Sequence, residues 1–210
     1  MTEASRGRSA LPWAELAHEL RGPIGVVQGA LEEADGDDPM LALARRGARQ
    51  LELLAQAWGR LGSGVAQPVR CGLSEVGDAA QRTFAELEPR RASRLSVARA
   101  EAVLVTDRER LELGLVRLFA HLTRGAAASI HVEIGPSACL GFRGDGDLGV
   151  PADLGAVDIR DLWARSARLA TAVLLLEPLT ERWEQDQERL LWCPTPFTEA
   201  PLPTSGADVA

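Results

Sequence analysis

The strongest constraint on this chain lies in its N-terminal third, where two apolar stripes of helical period are separated by one short breaker. Leu16, Leu20, Ile24, Val27 and Leu31 recur at spacings of four and three, which places them along one side of a helix. Asp35-Gly36-Asp37-Asp38-Pro39 stops that pattern, with Asp38 suited to an N-cap and Pro39 to the first turn of a second helix. The second stripe is Leu41, Ala44, Ala48, Leu51, Ala55, Trp58 and Leu61, close to a heptad, and it ends at Gly62-Ser63-Gly64. Two helices of similar length joined by a short turn predict an antiparallel hairpin, and a lone hairpin leaves much of both stripes in water. Each fully buried Leu or Ile contributes about 1.5–3 kcal/mol, so two hairpins are expected to pair into a four-helix bundle. A homodimer through residues 9–62 is therefore predicted.

Beyond the Gly/Ser linker the pattern becomes mixed. A strand is predicted near Val69 to Leu73, a helix from Ser74 to about Leu87, and strands around Leu95 to Ala98 and Ala102 to Val105. Thr106 or Asp107 caps a helix running to Leu122. Ser129 to Ile134 alternates inward Ile130, Val132 and Ile134 with outward Ser129, His131 and Glu133, as a half-buried strand does. Another strand is expected over Ala138 to Phe142, then a loop over Arg143 to Val157, a helix from Asp158 to about Leu176, and a hairpin of Thr180–Gln185 with Glu188–Cys193. The expected fold class is α+β, a dimerising helical hairpin followed by an α/β sandwich over residues 68–194. Residues 195–210, rich in Pro, Thr and Ala, have little to bury and are expected to be disordered.

Composition removes several function classes. A net charge of −7 and the lack of a basic stripe argue against nucleic-acid binding. No apolar run approaches the roughly 20 residues of a membrane helix, and Met1 to Ala10 has no signal-peptide apolar region, so a cytoplasmic, non-membrane protein is expected. The chain contains neither lysine nor asparagine, which excludes a P-loop and Schiff-base chemistry. Cys71, Cys139 and Cys193 show no paired metal or redox spacing and read as free buried thiols. Trp163, Trp183 and Trp192 read as core or interface anchors.

The chemistry is expected at His18-Glu19-Leu20-Arg21-Gly22-Pro23-Ile24. His18 stands two residues from both Leu16 and Leu20, roughly opposite them at about 3.6 residues per turn, so its imidazole is expected to face solvent. A neutral imidazole with a pKa near ~6.5 is a competent nucleophile at neutral pH. Glu19 is placed to orient the ring or accept its proton, and Arg21 to contact an acidic partner or a phosphoryl oxygen. Pro23 is unusual inside a helix, where it costs about 3 kcal/mol. An isolated exposed histidine is ordinary surface; the residues around this one set it apart.

This stretch resembles the phosphoacceptor motif of two-component histidine kinases, usually written His-Glu-Leu-Arg-Thr-Pro-Leu, with five of seven positions identical. The resemblance implies that 9–62 is a dimerisation and phosphotransfer hairpin and that 68–194 is an ATPase-like domain. Gly22 stands where kinases of this family commonly carry the Thr or Asn that positions water for dephosphorylating a partner, so weak or absent phosphatase activity is expected. Asp107 through Leu122 resembles the helix that carries the family's asparagines, one of them a magnesium ligand, whose positions align with Arg117 and His121. Neither replaces an amide oxygen on a hard cation. Gly144-Asp145-Gly146-Asp147-Leu148-Gly149 is similar to the family's adenine-reading box but out of register, and Val150 to Asp158 is short for an ATP lid.

A kept histidine with an eroded nucleotide site resembles the ChpT-type histidine phosphotransferases and the sporulation phosphorelay phosphotransferase. The implied function is phosphoryl transfer between receiver-domain aspartates through His18, with receiver domains of response regulators as partners, no ATP, and magnesium supplied by the receiver. The alternative is a non-catalytic dimeric pseudokinase or scaffold; an active ATP-dependent kinase ranks third.

Overall fold

The computed structural model describes residues 17, 20, 21, 24, 25, 27–29, 31, 32, 39–63, 68–125, 129–135, 138–185 and 189–195. His18, Glu19, Gly22, Pro23, Asp38 and the 196–210 tail lie outside the described residues.

Described residues between 17 and 32 are helical. Helix α1, Pro39–Ser63, follows, with proline at its first position, where the missing amide hydrogen costs nothing. Ala17 Cβ and Arg21 Nη2 lie 3.9 and 3.6 Å from where a Cβ would sit on Gly59, so the first described residues of the leading helical segment lie beside the far end of α1. That is an antiparallel hairpin. Ala17, Ile24, Leu41, Ala48 and Ala55 are buried. Residues 41, 48, 55 and 59 share one helical face, the face turned to the leading segment.

The remaining elements mix β and α: β1 (Pro68–Gly72), α2 (Leu73–Leu87), α3 (Pro89–Ala92), β2 (Leu95–Val97), β3 (Val103–Asp107) and α4 (Arg108–Leu122). After them come β4 (Ile130–Ile134), β5 (Leu140–Gly144), α5 (Ile159–Arg165), α6 (Ala167–Leu176), a 3-10 turn (Glu177–Leu179), β6 (Thr180–Gln185) and β7 (Arg189–Pro194). β1 and β3 form a two-stranded antiparallel ribbon. The main sheet runs β2-β4-β5-β7-β6, parallel at β2–β4 and antiparallel elsewhere.

Helices α2, α4 and α6 cover this sheet. Phe119 on α4 meets Phe84 on α2 at 6.3 Å, edge to face, and Phe142 on β5 at 6.4 Å, so one aromatic chain joins two helices to a strand. Ile130 and Val132 point inward between exposed His131 and Glu133, as their alternation predicts. Trp192 is wholly buried, and its indole N–H donates to Thr180 Oγ1 at 2.6 Å. Trp163 and Trp183 are half-buried against the same core.

Two local expectations change. The helix expected over 158–176 is broken at Ser166, whose backbone is extended (φ −160°, ψ 106°) and whose hydroxyl caps α6 by accepting from the Leu169 amide at 3.2 Å. Helix α1 buries two faces, not one: Leu53 and Ala57 belong to the core shared with α2, α4 and α6. Among the described residues no helix is long and apolar enough to cross a membrane.

Candidate functional site

Of the residues expected to carry chemistry, His18 and Glu19 lie outside the described residues, and Arg21 is described. Arg21 is exposed on the leading helical segment, its guanidinium over Gly59. Gly59 leaves room there that a larger side chain would fill, so the end of α1 accommodates the arginine.

The hairpin is clasped to the sandwich at that same end of α1. Arg60 donates from Nη2 to Asp107 Oδ1 at 2.9 Å, and its Nε lies 3.6 Å from Glu109. The same Asp107 oxygen accepts the Arg110 amide at 3.1 Å, capping α4. Arg110 Nη2 in turn donates to the Arg60 carbonyl at 2.8 Å. Asp107 is 1% exposed, so this carboxylate is a buried charge that is paired and hydrogen-bonded. The bond from Asp107 raises the Arg60 pKa against the effect of burial, whereas burial lowers that of Arg110. Sequence offered Thr106 or Asp107 as the cap, and Asp107 is the one that caps; its second role depends on Arg60, 47 positions away, which no local pattern signals.

At the C-terminal end of α4, His121 is held on both sides. Its Nε2 faces the Gly149 carbonyl at 3.2 Å, and its Nδ1 faces Ser166 Oγ at 3.0 Å. A carbonyl only accepts, so Nε2 carries the proton and Nδ1 receives the Ser166 hydroxyl. Burial is the main cause that lowers the His121 pKa from 6.5, keeping the ring neutral. A cavity of about 300 Å³ opens here, lined by His121, Asp147, Gly149, Pro151, Arg165 and Ser166. Asp147 Oδ1 accepts the Gly149 amide at 2.8 Å, and Gly149 takes φ 67°, the left-handed region that suits glycine. Asp145 accepts from the Ser129 amide at 3.0 Å and from the Ser129 hydroxyl at 3.3 Å, tying the start of β4 to the end of β5, so Asp147 serves a local turn and Asp145 a contact across the hairpin. Among the described residues no group of three or more His, Cys, Asp or Glu is arranged to hold a metal ion. His131, an exposed strand residue, bonds Ser96 Oγ at 2.6 Å across β2–β4.

Arg117 does not face this cavity. It lines a separate cleft of about 290 Å³ between α1 and α5–α6, with Trp58, Trp163 and Arg168. Serine 166 and the α1 contacts were not readable as site residues, because their roles depend on partners far away in the chain.

No family model matches this chain, and no curated protein does. Solved structures do. The Acinetobacter baumannii histidine kinase AdeS superposes with a TM-score of 0.51 at 16% identity, covering 83% of this chain and 94% of that one. A bacterial phosphotransferase gives 0.41 at 18% identity, covering 91% and 96%. A histidine kinase from Burkholderia phymatum STM815 gives 0.38 at 16%, covering 91% and 97%. The first superposition carries the assignment: the fold is histidine-kinase-like, α+β, with a five-stranded main sheet.

Proposed function

We propose that this chain is a histidine phosphotransferase of a two-component phosphorelay, working through His18. The observation that supports the reading comes from the described residues that bracket position 18: Ala17, Leu20 and Arg21 are helical, Ala17 and Arg21 lie beside Gly59 of α1 in a histidine-kinase-like fold, and Arg21 is exposed. In the proposed step an imidazole nitrogen of His18 attacks the phosphorus of a receiver's aspartyl phosphate. The N–P bond forms, the acyl O–P bond breaks, the aspartate leaves as carboxylate, and the imidazole proton passes to Glu19 or water. Arg21 pairs with a phosphoryl oxygen or an acidic receiver surface. The reverse sequence delivers the phosphoryl group to a second receiver. Both receivers bring their own magnesium.

The engagement of the groups around His121 supports a reading without a magnesium nucleotide. Both ring nitrogens of His121 are engaged, Arg117 lines the neighbouring cleft instead, and Asp147 Oδ1 accepts the Gly149 amide. No step of the proposal therefore passes through ATP. The exposed apolar residues Val27, Met40, Leu43 and Leu51 support a dimer through the hairpin, since a pair of hairpins covers them.

The test mixes the protein with receivers carrying radiolabelled aspartyl phosphate. Acid-labile label is expected on the wild type and not on His18→Ala, with transfer onward to a second receiver. Label that persists in His18→Ala would sink the proposal. Stable receiver binding without label would favour a scaffold instead, and micromolar Mg-ATP binding with self-labelling would favour a kinase.

A further inference from the structure

The cleft between α1 and the α5–α6 pair is built around two cations. Arg117 comes from the middle of α4 and Arg168 from the first turn of α6, and both line the same 290 Å³ volume. Arg168 Nη2 lies 3.4 Å from Glu88, while its Nη1 is buried without a hydrogen-bond partner among the described residues. Arg117 Nη2 is buried and unpartnered in the same way. A guanidinium keeps its proton at neutral pH, so its buried N–H groups demand acceptors. Burial first, and then the charge of Arg168, push the Arg117 pKa down to about 10. Two like charges line one cavity, Glu88 meets only Arg168 of the two, and no carboxylate is among the cleft's described lining residues, which leaves a deficit of negative charge.

The other walls are apolar. Trp58 on α1 and Trp163 on α5 stand with ring centroids 6.5 Å apart, and Leu54 completes that side. The cleft thus joins paired guanidinium donors to a flat hydrophobic wall, the combination that recognises a phosphate and the body carrying it.

We propose that this cleft binds a small phosphate-type oxyanion, free or carried on a small molecule, held between Arg117 and Arg168. It is separate from the His121 cavity, and it does not depend on the function proposed above. Its ligand joins α1 to α4 and α6, so occupancy would stiffen the seating of the hairpin on the sandwich.

The full-length protein is titrated with inorganic phosphate and, separately, with adenosine monophosphate, at ionic strength matched with chloride. Binding is read by calorimetry and by tryptophan fluorescence. Phosphate is expected to bind beyond the chloride control, and Arg117→Gln and Arg168→Gln each to weaken it at least tenfold. Tighter binding of the nucleotide, lost in Trp58→Leu, identifies a carried phosphate; equal binding identifies the free ion. In phosphate-free buffer Arg117→Met is expected to raise Tm, because an unpaired buried cation is replaced by a thioether of similar length. No binding beyond chloride, or binding unchanged in both arginine variants, overturns the proposal, and so does a fall in Tm for Arg117→Met.

Discussion

Asp107 concentrates several tasks on one carboxylate: it ends β3, caps α4 and anchors Arg60 from α1. Asp107→Ala removes the cap, worth about 1 kcal/mol, and strands a partly buried guanidinium, which costs about 3 kcal/mol more where burial is complete. A loss of about 3 kcal/mol in urea unfolding is expected, with Asp107→Asn losing less because an amide oxygen still caps. Cys139 offers a different residue-scale test. Burial, reinforced by the neighbouring thiol of Cys193, pushes its pKa up to about 11. Since the thiolate is the nucleophile, alkylation by iodoacetamide at pH 7 should be slow and rise about tenfold per pH unit until near that value. A fast reaction of Cys139 at neutral pH in the wild type, read by peptide mass spectrometry, would show that the thiol is not held protonated.

Among the elements, α4 and α6 approach most tightly at Gly114, where a Cβ would stand 2.6 Å from Leu176 Cγ and Cδ2. Leu176 is fully buried and has nowhere to retreat, so Gly114→Ala should destabilise by about 1–3 kcal/mol despite the better helix propensity of alanine. Thermal unfolding of that variant measures it. Most element boundaries were legible because they rest on local signals: Pro39 opens α1, Asp107 caps α4, and alternation marks β4. The break at Ser166 was not, since Asp158 to Leu176 reads as one apolar-rich helix and the interruption depends on His121 receiving the serine hydroxyl from 45 positions away. The second buried face of α1 was hidden for the same reason. Leu53 and Ala57 fit no heptad with Leu41 and Ala48, and only the docked sandwich gives them a partner. Of the candidate site, the motif was read by resemblance and His18 lies outside the described residues, while Arg21 is exposed as expected; the paired arginines were not readable, because Arg117 and Arg168 converge only after folding.

At the scale of the whole molecule, the exposed stripe of Met40, Leu43 and Leu51 follows the helical period along α1. If it forms the proposed bundle, wild type should sediment as a dimer, and Leu43→Glu/Leu51→Glu should yield folded monomer with an unchanged circular dichroism spectrum. A dimer that survives both charges would place the interface elsewhere. The clasp at the end of α1 carries its own consequence. One oxygen of Asp107 receives both the Arg60 guanidinium and the Arg110 amide, and Arg110 reaches back to the Arg60 carbonyl. Unseating the long helix and fraying the start of α4 are thus a single opening event. The exchange of one peptide hydrogen for deuterium, at Arg110, becomes a clock for how often the two halves of the protein part company.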